Sequence, residues 1–120
     1  MKYVVIKTSH ERINECGNSL FEAARGPWRI GRRRYPTISK YTHAVILLKG
    51  DKDIKAIYKI DKWYPAGLDI NGYERYVFAG EIDKKLSEKL VGRIANRELF
   101  KKGRQFPLIY LEDIIDLIEL

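Results

Sequence analysis

The segment Ala44–Ile60, AVILLKGDKDIKAIYKI, contains the two strands around which the rest of the fold is organised. Ala44–Leu48 is apolar at every position, which is typical of a central strand that is covered on both faces. A turn sequence follows at 50–53, and Ile54–Ile60 then alternates with a period of two, which is typical of a half-exposed strand. We therefore predict an antiparallel hairpin over 44–60.

The segments on either side of this hairpin predict further strands and several helices. Strands are expected at Tyr3–Lys7, Trp28–Ile30, Arg75–Gly80 and Leu108–Leu111, and helices after a cap at Thr8 or Ser9 and at Leu20–Ala24, Asp83–Leu90, Ile94–Lys102 and Asp113–Leu120. Trp63–Gly67 is expected to end the second hairpin strand and to open a long loop with a turn at Asn71-Gly72. This order predicts an α+β fold: a small, mixed, mainly antiparallel curved sheet or open pseudobarrel with inserted helices and a C-terminal helix.

Length and composition narrow the class of protein. At 120 residues and 14.1 kDa, residues 1–120 are expected to form a single domain around one core. No apolar run approaches the roughly 18 residues that a membrane-spanning helix needs, and the start of the chain, interrupted by Lys7, is too short for a signal peptide. The single cysteine, Cys16, excludes an internal disulfide and a multi-cysteine zinc site. We expect a cytoplasmic protein.

The charge is unevenly distributed along the chain. There are 23 Lys and Arg against 16 Asp and Glu, a net charge of +7. The segment 23–50 contains no acid, and its bases are Arg25, Arg29, Arg32, Arg33, Arg34, Lys40 and Lys49. Because arginine binds phosphate and nearby aromatic rings such as Trp28 can stack on bases, this segment predicts nucleic-acid contact. The alternative is a solvated basic loop with Trp28 in the core.

Two further segments are candidates for the same contact. One contains Lys101, Lys102, Arg104 and Gln105, in which Gln105 can read a base edge; its alternative is a helix C-terminus whose cations complement the dipole. The other contains Trp63, which lines either the core or a pocket for a base.

Catalytic and metal motifs are absent from the sequence. His10 and His43 belong to no spaced metal motif, and His43, beside a buried strand, is equally explained as a hydrogen-bonded core histidine. Cys16 has no base near it in sequence. We therefore predict no catalytic residue, no metal and no cofactor, although an enzyme acting on a phosphodiester through Lys, Tyr or Arg stays open.

Five short motifs occur in an order that resembles a known group of domains. This set is similar to the small domain beside GIY-YIG nuclease modules in LEM-3-like proteins and, more loosely, to the PUA-like superfamily with its ASCH and EVE domains. The motifs are Ala24-Arg25-Gly26-x-Trp28, Ala44-Val45, Tyr58-Lys59-Ile60-x-x-Trp63-Tyr64, Arg75-Tyr76-x-Phe78-x-Gly80 and Gly103-x-Gln105-x-Pro107-x-x-Tyr110. The resemblance covers roughly residues 20–112 and implies a pseudobarrel whose cleft binds RNA or a flipped or modified base in DNA.

Together these observations lead us to expect a nucleic-acid-binding module with a basic face and an aromatic cleft. The expected partner is RNA or DNA, single-stranded or carrying a modified base. Two alternatives remain open: an ASCH-like hydrolase or nuclease acting on nucleic acid, and an inhibitor whose basic face binds an acidic protein. The sequence does not distinguish RNA from DNA and does not indicate the oligomeric state.

Overall fold

The computed structural model describes residues 2–30, 38, 40–95 and 108–111. In that part of the chain the strands are β1 (Lys2–Thr8), β2 (Trp28–Arg29), β3 (Tyr41–Leu48), β4 (Ala56–Leu68), β5 (Glu74–Ile82) and β6 (Leu108–Leu111). The helices are α1 (His10–Glu15), α2 (Leu20–Ala24) and α3 (Lys84–Leu90). The predicted strand positions are therefore confirmed, as are the helices that begin after Ser9 and at Leu20 and Lys84.

The strands form one curled sheet in the order β2-β5-β4-β3-β1-β6. All neighbouring pairs are antiparallel except β1 and β3, which run parallel. The predicted hairpin is present, since β3 and β4 pair through Ala44 opposite Tyr58 and Val45 opposite Ile57. The expected α+β class with a strongly curved, mainly antiparallel sheet is confirmed, and the sheet is a half-barrel.

The sheet is covered on both faces, which is why β3 is apolar throughout. One face carries Tyr58, Trp63, Tyr76 and Phe78, and α2 packs against it through Leu20, Phe21 and Ala24. We call this the aromatic face. The opposite face carries Tyr3, Val5, Val45, Leu47 and Ile57, and α3 packs against it through Leu86 and Leu90. The expectation of a half-exposed second hairpin strand is wrong at Ile57, which is fully buried under the second layer.

The predicted loop at Trp63–Gly67 is also wrong, because β4 continues through it to Leu68. Trp63, Tyr64 and Pro65 pair with Phe78, Val77 and Tyr76 of β5. Among the described residues, β3 pairs with β4 only as far as Lys59, so Pro65 has a single neighbouring strand. On the side of β4 that has no neighbouring strand at this position, the missing N–H of Pro65 removes no hydrogen bond. On the side of β5, the strand register shifts directly after Pro65.

Two glycines allow the backbone to approach its neighbours closely. Gly80 lies opposite the register shift in β4, and a Cβ there would collide with the carbonyl group of Lys59. Gly26 has φ +121°, and a Cβ would lie 2.6 Å from the carbonyl oxygen of Tyr76. The second contact seats the end of α2 directly against β5.

The helix starts follow the capping residues. Ser9, Ser19 and Asp83 each accept a hydrogen bond from a backbone N–H three residues later, at 3.0–3.1 Å. Thr8, the alternative first cap, is instead the last residue of β1.

Only part of the predicted Ile94–Lys102 helix is described, and there Ile94 forms a bridge with Asp53 rather than a helical turn. The predicted helix Asp113–Leu120 lies outside the described residues. No helix in the described ranges is long and apolar enough to cross a membrane.

Candidate functional site

The structure places five of the predicted binding residues. Arg25, Trp28, Arg29, Lys40 and Trp63 lie within the described ranges. The other predicted contacts lie outside them; these are Arg32, Arg33, Arg34, Lys101, Lys102, Arg104 and Gln105.

Arg25 joins the end of α2 to β5. Its Nε–H donates to the carbonyl oxygen of Phe78 at 3.1 Å, and its own carbonyl accepts the N–H of Phe78 at 3.1 Å. One terminal nitrogen lies 3.5 Å from the carboxylate of Glu22. Much of this guanidinium therefore holds the fold together, and what is left for a ligand is its partly exposed outer edge.

Trp28 and Arg29 occupy the edge strand β2 but lie on opposite faces of the sheet. Trp28 pairs with Tyr76 and packs on the aromatic face, where its indole N–H donates to the carbonyl oxygen of Ala24 at 2.7 Å. Arg29 points the other way, because successive side chains of a strand alternate. Its guanidinium stacks 3.4 Å from the ring centre of Tyr73. The sequence suggested neighbours on one surface, whereas the structure puts them on either side of one sheet edge.

Trp63 lies deep in the aromatic face. It is 5% exposed, and its ring meets Phe78 edge-on with centroids 5.4 Å apart. The indole N–H has no hydrogen-bond partner among the described residues. Buried donors in proteins are nearly always paired, and Trp63 is one of three side chains in the described ranges that break this rule, beside Thr8 and Ser87. The aromatic surroundings are also of low polarity, since burial raises the pKa of the neighbouring Tyr58 phenol.

Lys40 is not brought to this place. It lies exposed in the turn that precedes β3, and the first residue of β3, Tyr41, pairs with Lys2 of β1. β5 and β4 separate that end of β3 from the edge strand β2. Lys40 therefore belongs to a different part of the surface from Arg29.

The structure adds a feature that the sequence pattern indicated only as a loop. Residues 64–73 form the projecting end of the β4–β5 hairpin, which we call the hairpin arm. Its exposed apolar side chains are Tyr64, Leu68, Ile70 and Tyr73. The alternation of polar and apolar residues is weak in this segment. The one sequence feature that could have predicted a hairpin there is the Asn71-Gly72 turn between two strands. The arm lies next to β2, because Arg29 pairs with Arg75 at its base.

The turn of the hairpin arm is organised by Asp69. One carboxylate oxygen accepts the backbone N–H groups of Asn71 and Tyr73, both at 2.9 Å. The other accepts a hydrogen bond from the Nε–H of Arg75 at 3.1 Å and lies 3.0 Å from a terminal nitrogen of the same guanidinium. These donors lower the pKa of Asp69, the N–H of Tyr73 contributing most. The charge of Asp69 is thus neutralised by Arg75 at the base of the arm.

His43 and two carboxylates, side chains of the types that enzymes use, are held in local hydrogen bonds and ion pairs. His43 is buried, with Nε2 2.9 Å from the Asp83 carboxylate and Nδ1 2.7 Å from the Thr42 hydroxyl, so it is a hydrogen-bonded core histidine. Asp51 and Asp53 both bind the ammonium group of Lys55, at 3.1 and 3.0 Å. In the described ranges no three His, Cys, Asp or Glu side chains are grouped so as to hold a metal ion.

Comparison with protein-family models, with curated proteins and with solved structures found no match to this chain.

Proposed function

We propose that this protein is a nucleic-acid-binding module that holds phosphates at the β2 edge and takes an unstacked base against the aromatic face. The observation that carries the proposal is the buried indole N–H of Trp63, which has no partner among the described residues. Every nucleobase presents ring nitrogens or carbonyl oxygens that accept a hydrogen bond, and a flat face that stacks on aromatic rings. A base would therefore supply what this site lacks.

Charge supports the same partner. The chain carries a net charge of +7, and Arg29 has no carboxylate partner among the described residues. A guanidinium that stacks on a tyrosine ring keeps the N–H groups of its edge available, and these match the oxygens of a phosphate. From the sequence we add the arginines at 32–34 and the basic segment 101–105 as further phosphate contacts.

The position of Trp28 supports entry of a base at the edge of the sheet. Its indole N–H is already committed to Ala24, so the ring offers a face and an edge rather than a donor. Trp28 and Trp63 belong to one apolar cluster, with Trp28 half-buried at its border and Trp63 inside. Trp28 would then stack on the base at this border, and the indole N–H of Trp63 would donate to the base once the base has entered the cluster.

The test measures binding of fluorescein-labelled DNA by anisotropy over a series of salt concentrations. The ligands are a single strand, a perfect duplex and the same duplex with one mismatch. The proposal expects tighter binding to the single strand and the mismatched duplex, because extracting a weakly paired base costs less. Equal affinity for all three at matched salt would remove the base site, and absence of binding would remove the proposal.

Three variants separate the two contributions. Trp63→Phe keeps an aromatic ring but removes the N–H, and Trp28→Ala removes the stacking face; each is expected to abolish the preference for unpaired bases with little change in salt dependence. Arg29→Ala is expected to keep the preference and to lower the slope of log K against log salt by about 0.7–0.9, the effect of removing one bound phosphate. The matched control is Lys89→Ala, an exposed cation on α3, a helix that packs against Val5, Val45 and Ile57 of strands other than β2.

Folding of each variant is checked first by circular dichroism, because loss of a buried tryptophan side chain costs about 3–5 kcal/mol. The reaction mixtures are also resolved on denaturing gels. Appearance of cleaved strands would favour the hydrolase alternative over a binding module.

A further inference from the structure

The hairpin arm exposes apolar side chains that make no contribution to the core. Ile70 is fully exposed and Leu68 is 68% exposed, and Tyr64 and Tyr73 flank them at 41% and 50%. Single exposed apolar residues are ordinary on protein surfaces, but a group of four on one projecting hairpin is a feature that marks interaction sites. The fold gains nothing from Ile70, so its role is to be sought outside the chain.

The turn that carries Ile70 is closed by several hydrogen bonds. The backbone N–H of Asp69 donates to the carbonyl oxygen of Tyr73, and the N–H of Gly72 donates to the carbonyl oxygen of Asp69, at 2.9 and 3.0 Å. The carboxylate of Asp69 adds three further hydrogen bonds, from Asn71, Tyr73 and Arg75, and an ion-pair contact of 3.0 Å with Arg75. Ile70 is thus held in one place before any partner arrives, which reduces the entropy lost on binding.

The surroundings of the tip favour a polyanion as partner. Arg29 stacks on Tyr73, and the ammonium group of Lys62 lies 5.1 Å from the ring centre of Tyr64, so a cation accompanies each of the two tyrosines. Of the acids near the tip, Asp69 is neutralised by Arg75, and Glu74, opposite Leu68, accepts the hydroxyl of Tyr76 at 2.7 Å. Two cations therefore lie along the hairpin that carries the apolar tip, where they can bind the phosphates that flank an opened base step.

We propose that the hairpin arm inserts Ile70, supported by Leu68, as a wedge between neighbouring base pairs of duplex nucleic acid. This inference rests on the proposed function and names the element that would open the stack. Apolar side chains such as isoleucine and leucine are used in this way by proteins that kink a duplex, where the insertion partly unstacks one base step. Arg29 at the base of the arm binds the adjacent phosphate, and β2 then receives the loosened base at the edge of the aromatic face.

The experiment uses a short DNA duplex that carries the fluorescent base 2-aminopurine at an internal step. This base is quenched when stacked, so wedge insertion is expected to raise its fluorescence several-fold when the full-length protein is added at saturation. Binding of the same duplex is followed in parallel by the anisotropy of an end label. Ile70→Ser is expected to abolish the fluorescence rise, to leave the salt slope unchanged and to reduce affinity by a few-fold.

The matched control is Ile82→Ser, which changes an exposed isoleucine at the other end of β5 and is expected to behave like the parent. Because Ile70 is fully exposed, its replacement does not threaten folding. Binding without a fluorescence rise, or a rise that persists in Ile70→Ser, would overturn the wedge and leave the proposed function standing. Absence of duplex and single-strand binding would overturn both.

Two further measurements on the same variants test other partners for the hairpin arm. Sedimentation equilibrium that shows a dimer in the parent and a monomer in Ile70→Ser would assign the arm to a second copy of the chain. Flotation with vesicles of anionic lipid, lost in Ile70→Ser, would assign it to a membrane surface. Either result without a fluorescence rise would overturn the wedge.

Discussion

Replacing Asp83 by alanine is expected to lower the free energy of unfolding by about 2–4 kcal/mol, because this carboxylate performs two tasks at once. One oxygen accepts the N–H of Leu86 at 3.0 Å and caps α3. The other lies 2.9 Å from Nε2 of His43, which is buried on β3. Asp83 therefore connects the helix that covers one face of the sheet to a central strand.

The magnitude is the sum of the two losses. Removing an N-cap side chain costs about 1 kcal/mol. Leaving the buried imidazole of His43 without its partner costs about 1–3 kcal/mol. The assay is urea denaturation followed by circular dichroism at 222 nm, a far-UV wavelength that reports helix. Both curves are fitted with one common m-value, the slope of the unfolding free energy against urea concentration.

The pH dependence provides an independent check. The N–H of Leu86, followed by His43 and the charge of Lys59, lowers the pKa of Asp83, while burial opposes them. A carboxyl group with a lowered folded-state pKa contributes stability above its unfolded pKa, near about 3.9, and loses it as the pH falls through the folded-state value. The part of the stability difference between parent and Asp83→Ala that comes from the Asp83 charge should therefore be present above about pH 4 and should narrow as the pH falls below it.

Asp83→Asn is the matched control, because asparagine is an equally good N-cap and its amide can still bond to the histidine in its other tautomer. Asp83→Asn is expected to lower the free energy of unfolding by less than about 1 kcal/mol. The stability of this variant should lack the contribution of the Asp83 charge that is lost at low pH. The reasoning would be refuted if Asp83→Ala cost less than about 0.5 kcal/mol, or if Asp83→Asn cost as much as Asp83→Ala.

Three further predictions concern the packing and the charge of the chain. Gly26→Ala should lower the free energy of unfolding by about 2–3 kcal/mol in urea denaturation, because the new Cβ would collide with Tyr76 and the residue would be strained at positive φ. Gly72→Ala, at φ +80° with no atom near the new Cβ, should lower it by only about 1 kcal/mol. Equal losses in the two variants would contradict the close-contact explanation. Phe78→Ala should cost about 3–5 kcal/mol in the same assay because Phe78 is fully buried at the centre of the aromatic face, and a loss below about 2 kcal/mol would contradict that packing. Changing the arginines at 32–34 to alanine should flatten the salt dependence of DNA binding by about 0.7–0.9 log units for each phosphate that is no longer bound, and an unchanged slope would exclude this segment from the interface.

Local patterns in the sequence were sufficient for most strands and for the starts of α1, α2 and α3, although not at Ile94. Ala44–Leu48 could only be a strand covered on both faces, and it is buried throughout. Ser9, Ser19 and Asp83 each begin a helix, because a cap depends on a side chain and on a backbone group three residues away. Information of this range is contained in a few consecutive residues.

The candidate site was predictable in its residue types but not in its arrangement. The basic segment around residues 25–34 and its tryptophan were visible from composition alone. Which side each residue takes depends on the pairing of β2 with β5, and that pairing puts Trp28 on the aromatic face and Arg29 against Tyr73. Strand register is set by long-range burial, to which residues 28 and 29 themselves contribute little.

The sequence by itself determined the elements: an apolar central hairpin, capped helices and a basic, aromatic segment. Only the tertiary structure decided that β4 extends through Pro65 into the hairpin arm. A proline is tolerated there because, among the described residues, β4 has no second neighbouring strand at that position. The tertiary structure also decided that the indole N–H of Trp63 is buried without a partner among those residues. Both features depend on which strands pair and which side chains pack together across the sheet. That pairing is determined by the burial of the whole core rather than by any local segment of the chain.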